Sequence, residues 1–279
     1  LLEGTAVYIC PVCGSPLKEN KKGFCCKKGH RFDTAAQGYV NLLTSSHRNP
    51  KTAGDNAMMV KARTDFLSRG YYEKLANSAA DVLADIVGDK PAAVIDSGCG
   101  EGYYTNIYAR RLPQAQLYGV DISKNAVKHG ASQAKLLGLE NVHYAAASGF
   151  ELPFPDRCAD ALICTFAPVS NDEYARVLKK GGKLVIVCPS PIHLFGMKSV
   201  LYEKPYLNKP NEYGLKSFAP CGSQRIEYNI TLETNADIMN LFAMTPYYYK
   251  TPAEGRERLS ALQTLDTECG FDILIFRKK

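Results

Sequence analysis

No apolar run in this 279-residue chain approaches the roughly 18 residues that a membrane-spanning helix needs. The longest apolar stretches, at 159–166 and 184–188, have the length of buried strands. No secretory signal peptide is legible, and the sequence opens on Leu1. The chain has ten cysteines but is too long for a small disulfide scaffold. Six of them, Cys99, Cys158, Cys164, Cys188, Cys221 and Cys269, are scattered, several in apolar surroundings. They read as free thiols in a reducing, cytoplasmic setting. A membrane protein and a secreted cross-linked domain are therefore set aside. With 46% apolar residues the chain can bury a sizeable core, in one large domain or two unequal ones.

The chain also lacks an even spread of charge. Of the formal net charge of +6, residues 1–51 supply +5, from eight Lys/Arg against three Asp/Glu, and the other 228 residues only +1. A concentrated basic segment favours an anionic partner more than the overall pI does.

That segment carries metal-ligand spacing. Cys10-Pro-Val-Cys13 is followed, twelve residues on, by Cys26-Lys-Lys-Gly-His30. Three thiolates and an imidazole suit tetrahedral zinc, and four protein ligands leave no open position, so the metal is expected to be structural. Gly14 and Gly29 ease the turns at the two ligand pairs. Cys25 adjoins Cys26, but the spacing to His30 favours Cys26 as the ligand. A module with few large apolar side chains needs the folding energy that metal ligation supplies. Lys18, Lys21, Lys22, Lys27, Lys28 and Arg31 interleave with the ligands, as a basic knob for RNA phosphates would. Phe24, Phe32 and Tyr39 either stack on unpaired bases or form the module's small core. The stretch 41–57, with His47-Arg-Asn-Pro-Lys51, reads as a linker.

The rest of the chain alternates helix and strand. Helices are expected at 56–68 and 71–87, a buried strand at 92–96, the turn Ser97-Gly-Cys-Gly-Glu-Gly102, and a helix at 103–111. The turn lacks the spacing G-x-G-x-x-G of a dinucleotide site, and Glu101 adds negative charge where a pyrophosphate would sit. A sulfonium nucleoside has no phosphate to repel, which favours S-adenosylmethionine over NAD. A second strand at 116–120 ends in Asp121, placed 23 residues after Gly98 to accept from a ribose diol, with Ile122 packing on adenine. A third, at 142–145, leads to Ala146-Ala-Ser148 at the adenine edge. A fourth, at 158–163, leads to Cys164-Thr-Phe-Ala-Pro168. A helix at 172–178, the Gly181-Gly182 turn and a strand at 183–188 complete a doubly wound α/β pattern.

Beyond it, Pro189, Pro191, Pro205 and Pro210 break up 189–222. With Tyr202, Tyr206, Tyr213, Lys198, Lys204, Lys209 and Lys216, this insertion reads as lining an RNA cleft or closing over a target base. A strand at 224–232, helices at 236–244 and 254–265, and a strand at 271–276 follow. Met244-Thr-Pro-Tyr-Tyr-Tyr249 forms either an aromatic wall beside the site or packing for the last helix. The expected domains are a zinc-binding RNA-recognition module, 1–51, and a methyltransferase domain, 52–279, with an insertion near 189–222.

At these residues the chain resembles the bacterial 23S ribosomal RNA guanine-N1 methyltransferases over nearly its full length. The zinc module resembles theirs in its ligands, in Arg31-Phe-Asp33 and in Gly38-Tyr-Val-Asn-Leu-Leu43. The junction does so in Gly54-Asp55, Met58-Met59, Ala62-Arg63 and Phe66-Leu67. The cofactor site does so in Gly98-Cys-Gly-Glu-Gly-Tyr-Tyr-Thr105 and Asp121-Ile-Ser123, and later signatures in Ala175-Arg-Val-Leu-Lys179, Gly181-Gly182 and Met244-Thr-Pro246. The resemblance implies a class I methyltransferase with S-adenosylmethionine as donor, structural zinc, and a guanine in a 23S hairpin loop as target. It also implies a homodimer whose zinc modules help to form an RNA cleft; one branch of the family contributes to macrolide resistance. Ser97 stands where Ile is usual and Val169 where Cys is frequent, which leaves the particular guanine open.

The residues expected to hold the donor are Asp96, Gly98, Gly100, Tyr104, Asp121, Ile122 and Ser148. Phe166, Ala167 and Pro168 are expected at the acceptor: Phe166 stacks on the guanine or caps the core, carbonyls near Ala167 meet its N1–H or exocyclic amine, and Pro168 stiffens the loop. Cys164 is not expected to be a nucleophile, because N-methylation needs no covalent enzyme intermediate. Asp172 and Glu173 read as the start of a helix, and His129 and His143 as fold residues. Arg63 contacts an RNA phosphate or the cofactor carboxylate, or forms a surface salt bridge. The competing functions are methylation of a small molecule or a protein, and RNA binding without catalysis.

Overall fold

The computed structural model describes residues 8–44 and 57–279, so most of the expected linker lies outside the described residues. Three short antiparallel strands, β1 (Leu17–Asn20), β2 (Gly23–Cys26) and β3 (Arg31–Asp33), make a small sheet. A fourth, β4 (Tyr39–Asn41), leaves it. β4 lies within 1–51 yet pairs parallel to a strand of the large sheet, and the expected boundary at 51/52 lies outside the described residues.

The large sheet grows from helix–strand alternation. Helices α1 (Ala57–Leu67) and α2 (Glu73–Val87) precede β5 (Ala92–Ser97). Then come α3 (Tyr103–Arg111), β6 (Ala115–Asp121), α4 (Lys124–Leu136), β7 (Val142–Ala146), β8 (Ala159–Thr165), α5 (Asn171–Val177) and β9 (Leu178–Pro189). The chain ends with α6 (Phe195–Leu201), β10 (Phe218–Leu232), α7 (Asn235–Ala243), α8 (Tyr247–Lys250), α9 (Ala253–Ser260) and β11 (Leu265–Lys278). The strand order is β10-β11-β9-β8-β5-β6-β7-β4. The strands from β4 to β9 run parallel, while β11 is antiparallel to both β9 and β10.

The inner strands are near-continuous apolar runs rather than alternating ones because both sheet faces are covered. Val94, Leu117, Ala161 and Ile163 face α2 and α3 on one side. Ile95, Tyr118, Leu162 and Cys164 face the other side, where Tyr8, Cys10, Leu17 and Cys26 of the zinc module and Tyr174 and Val177 of α5 cover them. The zinc module thus takes over part of a face that helices usually occupy in a doubly wound fold. Order reverses at β5, which has β6 on one side and β8 on the other; the crevice beyond the carboxyl ends of these strands is where such sheets bind ligands.

Several elements differ from the sequence expectation, among them three that shape the sheet and its flanks. Helix α4 was not anticipated. Strand β10 starts at Phe218 rather than at 224, pairing with β11 from Phe218↔Lys278 to Leu232↔Leu265. Its exposed edge position leaves it mostly polar, so its hydrophobic signal is weak. The last helix ends at Ser260, since Leu265 already belongs to β11.

Candidate cofactor cavity and metal centre

The four expected ligands converge: Cys10, Cys13, Cys26 and His30 place their ligand atoms within 4.8 Å of one another. The Cys13 and Cys26 sulfurs are 3.8 Å apart, and His30 Nδ1 is 3.4 Å from the sulfurs of both Cys10 and Cys26. A tetrahedron with zinc–sulfur bonds near 2.3 Å and zinc–nitrogen near 2.05 Å has edges of about 3.8 Å and about 3.5 Å. The donor set and its spacing therefore fit zinc with no fifth position. Cys25, next along β2, points to the other side of the strand and stays outside the cluster.

The module's aromatic residues turn inward. Tyr8 meets Phe24 at 5.4 Å and Phe154 at 5.4 Å, Phe32 packs on the same core, and Tyr39 packs beside Tyr144. Phe24, Phe32 and Tyr39 are half-buried against these cores, which supports the core reading. Lys18, Lys21, Lys22, Lys27, Lys28 and Arg31 are all exposed.

The glycine loop follows β5, and its conformation requires glycine. Gly98 has φ +81°, and a Cβ there would lie 2.4 Å from Ala167 Cβ. Gly102, with φ +82°, leads directly into α3, and a Cβ there would lie 2.7 Å from Gly130 Cα. Two carboxylates flank the loop. Asp121, at the end of β6, accepts from the Gly100 N–H at 3.0 Å and the Ser123 N–H at 2.8 Å. Asp96, near the end of β5, is 1% exposed. Its Oδ2 accepts from the Thr105 hydroxyl at 2.6 Å, while its Oδ1 has no partner. Burial pushes its pKa up to about 7 against the lowering effect of the Thr105 hydrogen bond, and the charges of Asp121 and Glu101 push the same way. A buried carboxylate oxygen without a donor, beside two more acids, fits a cationic ligand and repels a pyrophosphate.

A cavity of about 910 Å³ opens over this loop. Asp96, Gly98, Gly100, Tyr104, Asp121, Ile122, Ser148, Phe166, Ala167 and Pro168 all line it. Its size is near the top of the roughly 300–1,000 Å³ range of small-molecule sites, leaving room beyond one nucleoside. Arg63 also lines it, 3.6 Å from Glu101, so this cation belongs to the cavity wall rather than to an outer surface pair.

Phe166 sits on left-handed backbone, φ +54°, directly after β8, with its N–H donated to the Val187 carbonyl at 3.0 Å. Phe166 is 43% exposed and lines the cavity, so part of its side chain is open to a ligand. It contacts Tyr104 at 6.3 Å and Phe271 at 5.7 Å. A non-glycine residue held there stores strain, a feature that gathers at functional sites. The Ala167 carbonyl accepts from Cys164 Sγ at 3.3 Å and the Pro168 carbonyl from the Tyr174 hydroxyl at 3.2 Å, so both serve the loop's own architecture. Burial pushes the Cys164 thiol up to about 11, in keeping with a non-nucleophilic role.

Glu173, in the first turn of α5, accepts from the Leu152 N–H at 2.8 Å and pairs with Arg176, which makes it a fold residue. His143 stacks on Tyr118 at 5.2 Å, and His129 Nδ1 lies 3.3 Å from the Glu101 carbonyl oxygen. Met244, Thr245, Pro246, Tyr247 and Tyr249 line the cavity, which favours the aromatic-wall reading. The insertion differs most. Lys198, expected as cleft charge, is completely buried. His193 and Asn208 line the cavity, and no local motif announced them.

A mixed, mainly parallel sheet with this order, a glycine turn after β5 and an acid at the end of β6 define a class I methyltransferase fold with an S-adenosylmethionine site. A family described as "Methyltransferase domain" matches residues 89–232, and the zinc-ribbon family described as "RlmA, N-terminal" matches residues 8–51. The chain is 30% identical, over 91% of its length and 90% of the relative's, to the 23S rRNA (guanine(748)-N(1))-methyltransferase of Streptomyces fradiae. It is 31% identical, over 91% of its length and 90% of the relative's, to a Micromonospora griseorubida protein classed among the 23S rRNA (guanine-N(1)-)-methyltransferases. Among solved structures, the YcgJ protein of Bacillus subtilis has a TM-score of 0.49 at 18% identity, covering 73% of this chain and 99% of its own. The chain belongs to the zinc-containing 23S rRNA guanine-N1 methyltransferase family. Among the described residues, no helix is long and apolar enough to cross a membrane.

Proposed function

We propose that this chain transfers the methyl group of S-adenosylmethionine to N1 of a guanine in a hairpin loop of 23S ribosomal RNA. The observation that carries the reading is one cavity lined both by a partnerless buried carboxylate oxygen and by a half-exposed aromatic residue on left-handed backbone. Asp96 holds the donor's ammonium, Asp121 its ribose diol, and Ile122 and Ser148 flank its adenine. Gly98 and Gly100 let the backbone approach closely. When bound, the donor supplies an electrophilic methyl carbon: the N1 lone pair forms the new N–C bond, the C–S pair returns to sulfur, and the N1 proton leaves to water.

The Phe166 ring stacks on the guanine, which must leave its own stack at a cost of a few kcal/mol. Stacking on an aromatic side chain recovers about 1–3 kcal/mol per base. The exposed lysines of the zinc knob take the hairpin phosphates. The same reading makes the chain a cytoplasmic homodimer whose two knobs flank one RNA cleft, which sedimentation with and without RNA tests. The decisive experiment incubates the protein with labelled donor and unmodified ribosomal RNA, naked and in particles, and maps modified bases. N1-methylguanine at one hairpin position is expected; its absence from every substrate overturns the reading.

A further inference from the structure

His193 lies four residues beyond β9, in the proline-broken segment. The residue lines the cavity yet is only 7% exposed. The Gly270 N–H donates to its Nδ1 at 3.4 Å, which places the proton of the neutral ring on Nε2. No described residue accepts from Nε2, and that atom is not among the sealed, partnerless ones.

Two aromatic rings pack on the imidazole. Phe271 contacts it at 4.7 Å and Tyr72 at 6.1 Å. Phe271 in turn touches Phe166, so His193 stands two ring contacts from the proposed stacking residue. Its backbone carbonyl accepts from Asn208 Nδ2 at 3.2 Å. Asn208 Oδ1 is itself fixed by Lys198 Nζ at 2.9 Å and the Tyr247 hydroxyl at 3.2 Å. Among the described residues, no carboxylate lies within ion-pair distance of the Lys198 ammonium. Burial, with the nearby charge of Lys198, pulls the His193 pKa down to about 3. The ring is thus a permanent neutral donor rather than a titrating base.

Guanine N1–H and O6 form one lactam, so charge left by the departing N1 proton spreads onto O6. We infer that His193 donates its Nε2–H to O6 of the acceptor guanine, as a further catalytic residue of the proposed reaction. The hydrogen bond strengthens as the charge develops, which is the condition for accelerating the step. It also selects the base: adenine presents a donor amine at the same position, and two donors facing each other reject it.

The inference rests on the proposed function and is tested on an RNA fragment that the wild type methylates. Single-turnover rates are compared for wild type, His193→Phe, which keeps ring packing without a donor, and His193→Gln, which keeps an N–H. The Phe variant is expected to be slower by about 10²–10³-fold, the range for loss of one such donor. Donor affinity should stay within about twofold, and Gln should restore at least about tenfold of the lost rate. With 6-thioguanine at the target, a poorer acceptor, the wild type slows and the Phe variant does not slow further. Melting curves check folding, and His193→Met serves as a second donor-less variant. A folded Phe or Met variant at the wild-type rate, a Gln variant no faster than Phe, or equal sulfur effects on all proteins overturns the inference while the methylation reading stands. A wild type that leaves every RNA unmethylated removes both.

Discussion

Replacing Asp96 by Asn should weaken donor binding and at the same time strengthen the donor-free fold. In that fold the carboxyl titrates near 7 because burial disfavours its charge. A carboxyl whose folded pKa exceeds its unfolded value holds its proton more tightly when folded. Its burial therefore costs nothing below its ordinary pKa of 3.8 and costs most above about 7. The shift of roughly three units sets an upper bound of about 4 kcal/mol at pH 8, which Asn would not incur. Asn can still accept from Thr105, so the local hydrogen bond survives. Binding reverses the sign, since a cationic ammonium opposite Oδ1 favours the ionised form and lowers its pKa. Affinity is then full above about 7 and lost as pH falls through that value. With the bound-state pKa well below 5.5, the dissociation constant rises about 25-fold between pH 7.5 and 5.5. Calorimetric titration with S-adenosylhomocysteine across that range, with melting curves of the ligand-free proteins, measures both effects. A flat pH profile in the wild type, or an Asn variant that binds as tightly and melts no higher, refutes the assignment of Asp96 to the ammonium.

Gly98→Ala should abolish donor binding and lower stability by about 1–3 kcal/mol, because a Cβ there meets Ala167 on left-handed backbone; thermal melts and titration check both. Asp121→Ala should weaken donor binding by roughly 10–100-fold through loss of a charged acceptor, and should loosen the loop whose Gly100 N–H it receives; unchanged affinity would exclude the diol role. Cys26→Ser should release zinc, measured with a chromophoric chelator, and reduce RNA affinity more than donor affinity. It should also lower the melting temperature of the whole chain, because Cys26 shares a core with Tyr118 and Phe154; a separate early transition confined to the module is the contrary result.

The parts of the site legible in the sequence are those that local geometry encodes. The glycine turn, Asp121 at the next strand end and Phe166 after β8 lie where a strand–turn–helix order puts them, and all reach one cavity. The zinc set was readable because knuckle spacing is itself local. What escaped was set by distant pairing. Three residues of β4 carry too little pattern to announce an edge partner 105 positions away, as in Tyr39↔Tyr144. Lys198 looked like solvent-facing charge, yet the Tyr206 carbonyl and Asn208 receive its protons, with the faces of Tyr206 and Tyr247 beside it. His193 owes its tautomer to Gly270, a residue of the last strand that no window around position 193 includes.

The position of the zinc module bears on how a target can be chosen. Its metal fixes a knob too small to hold itself, but the metal does not set the knob's distance from the cavity. That distance is set by the sheet. Leu42 donates to the Ala146 carbonyl at 2.9 Å, and Ile9 donates to the Pro153 carbonyl at 2.9 Å. These two bonds bracket Ser148, Gly149 and Phe150 on the cavity wall. The knob and the cofactor wall are therefore one packed body rather than two beads on a string. Under the proposed function, a hairpin gripped by phosphate contacts alone carries no base information. A rigid offset converts that grip into a choice of nucleotide, because only one loop position then reaches Phe166 and His193. Residues that alter the offset, at β4 or the 148–154 turn, should shift the target guanine within the loop before they abolish methylation.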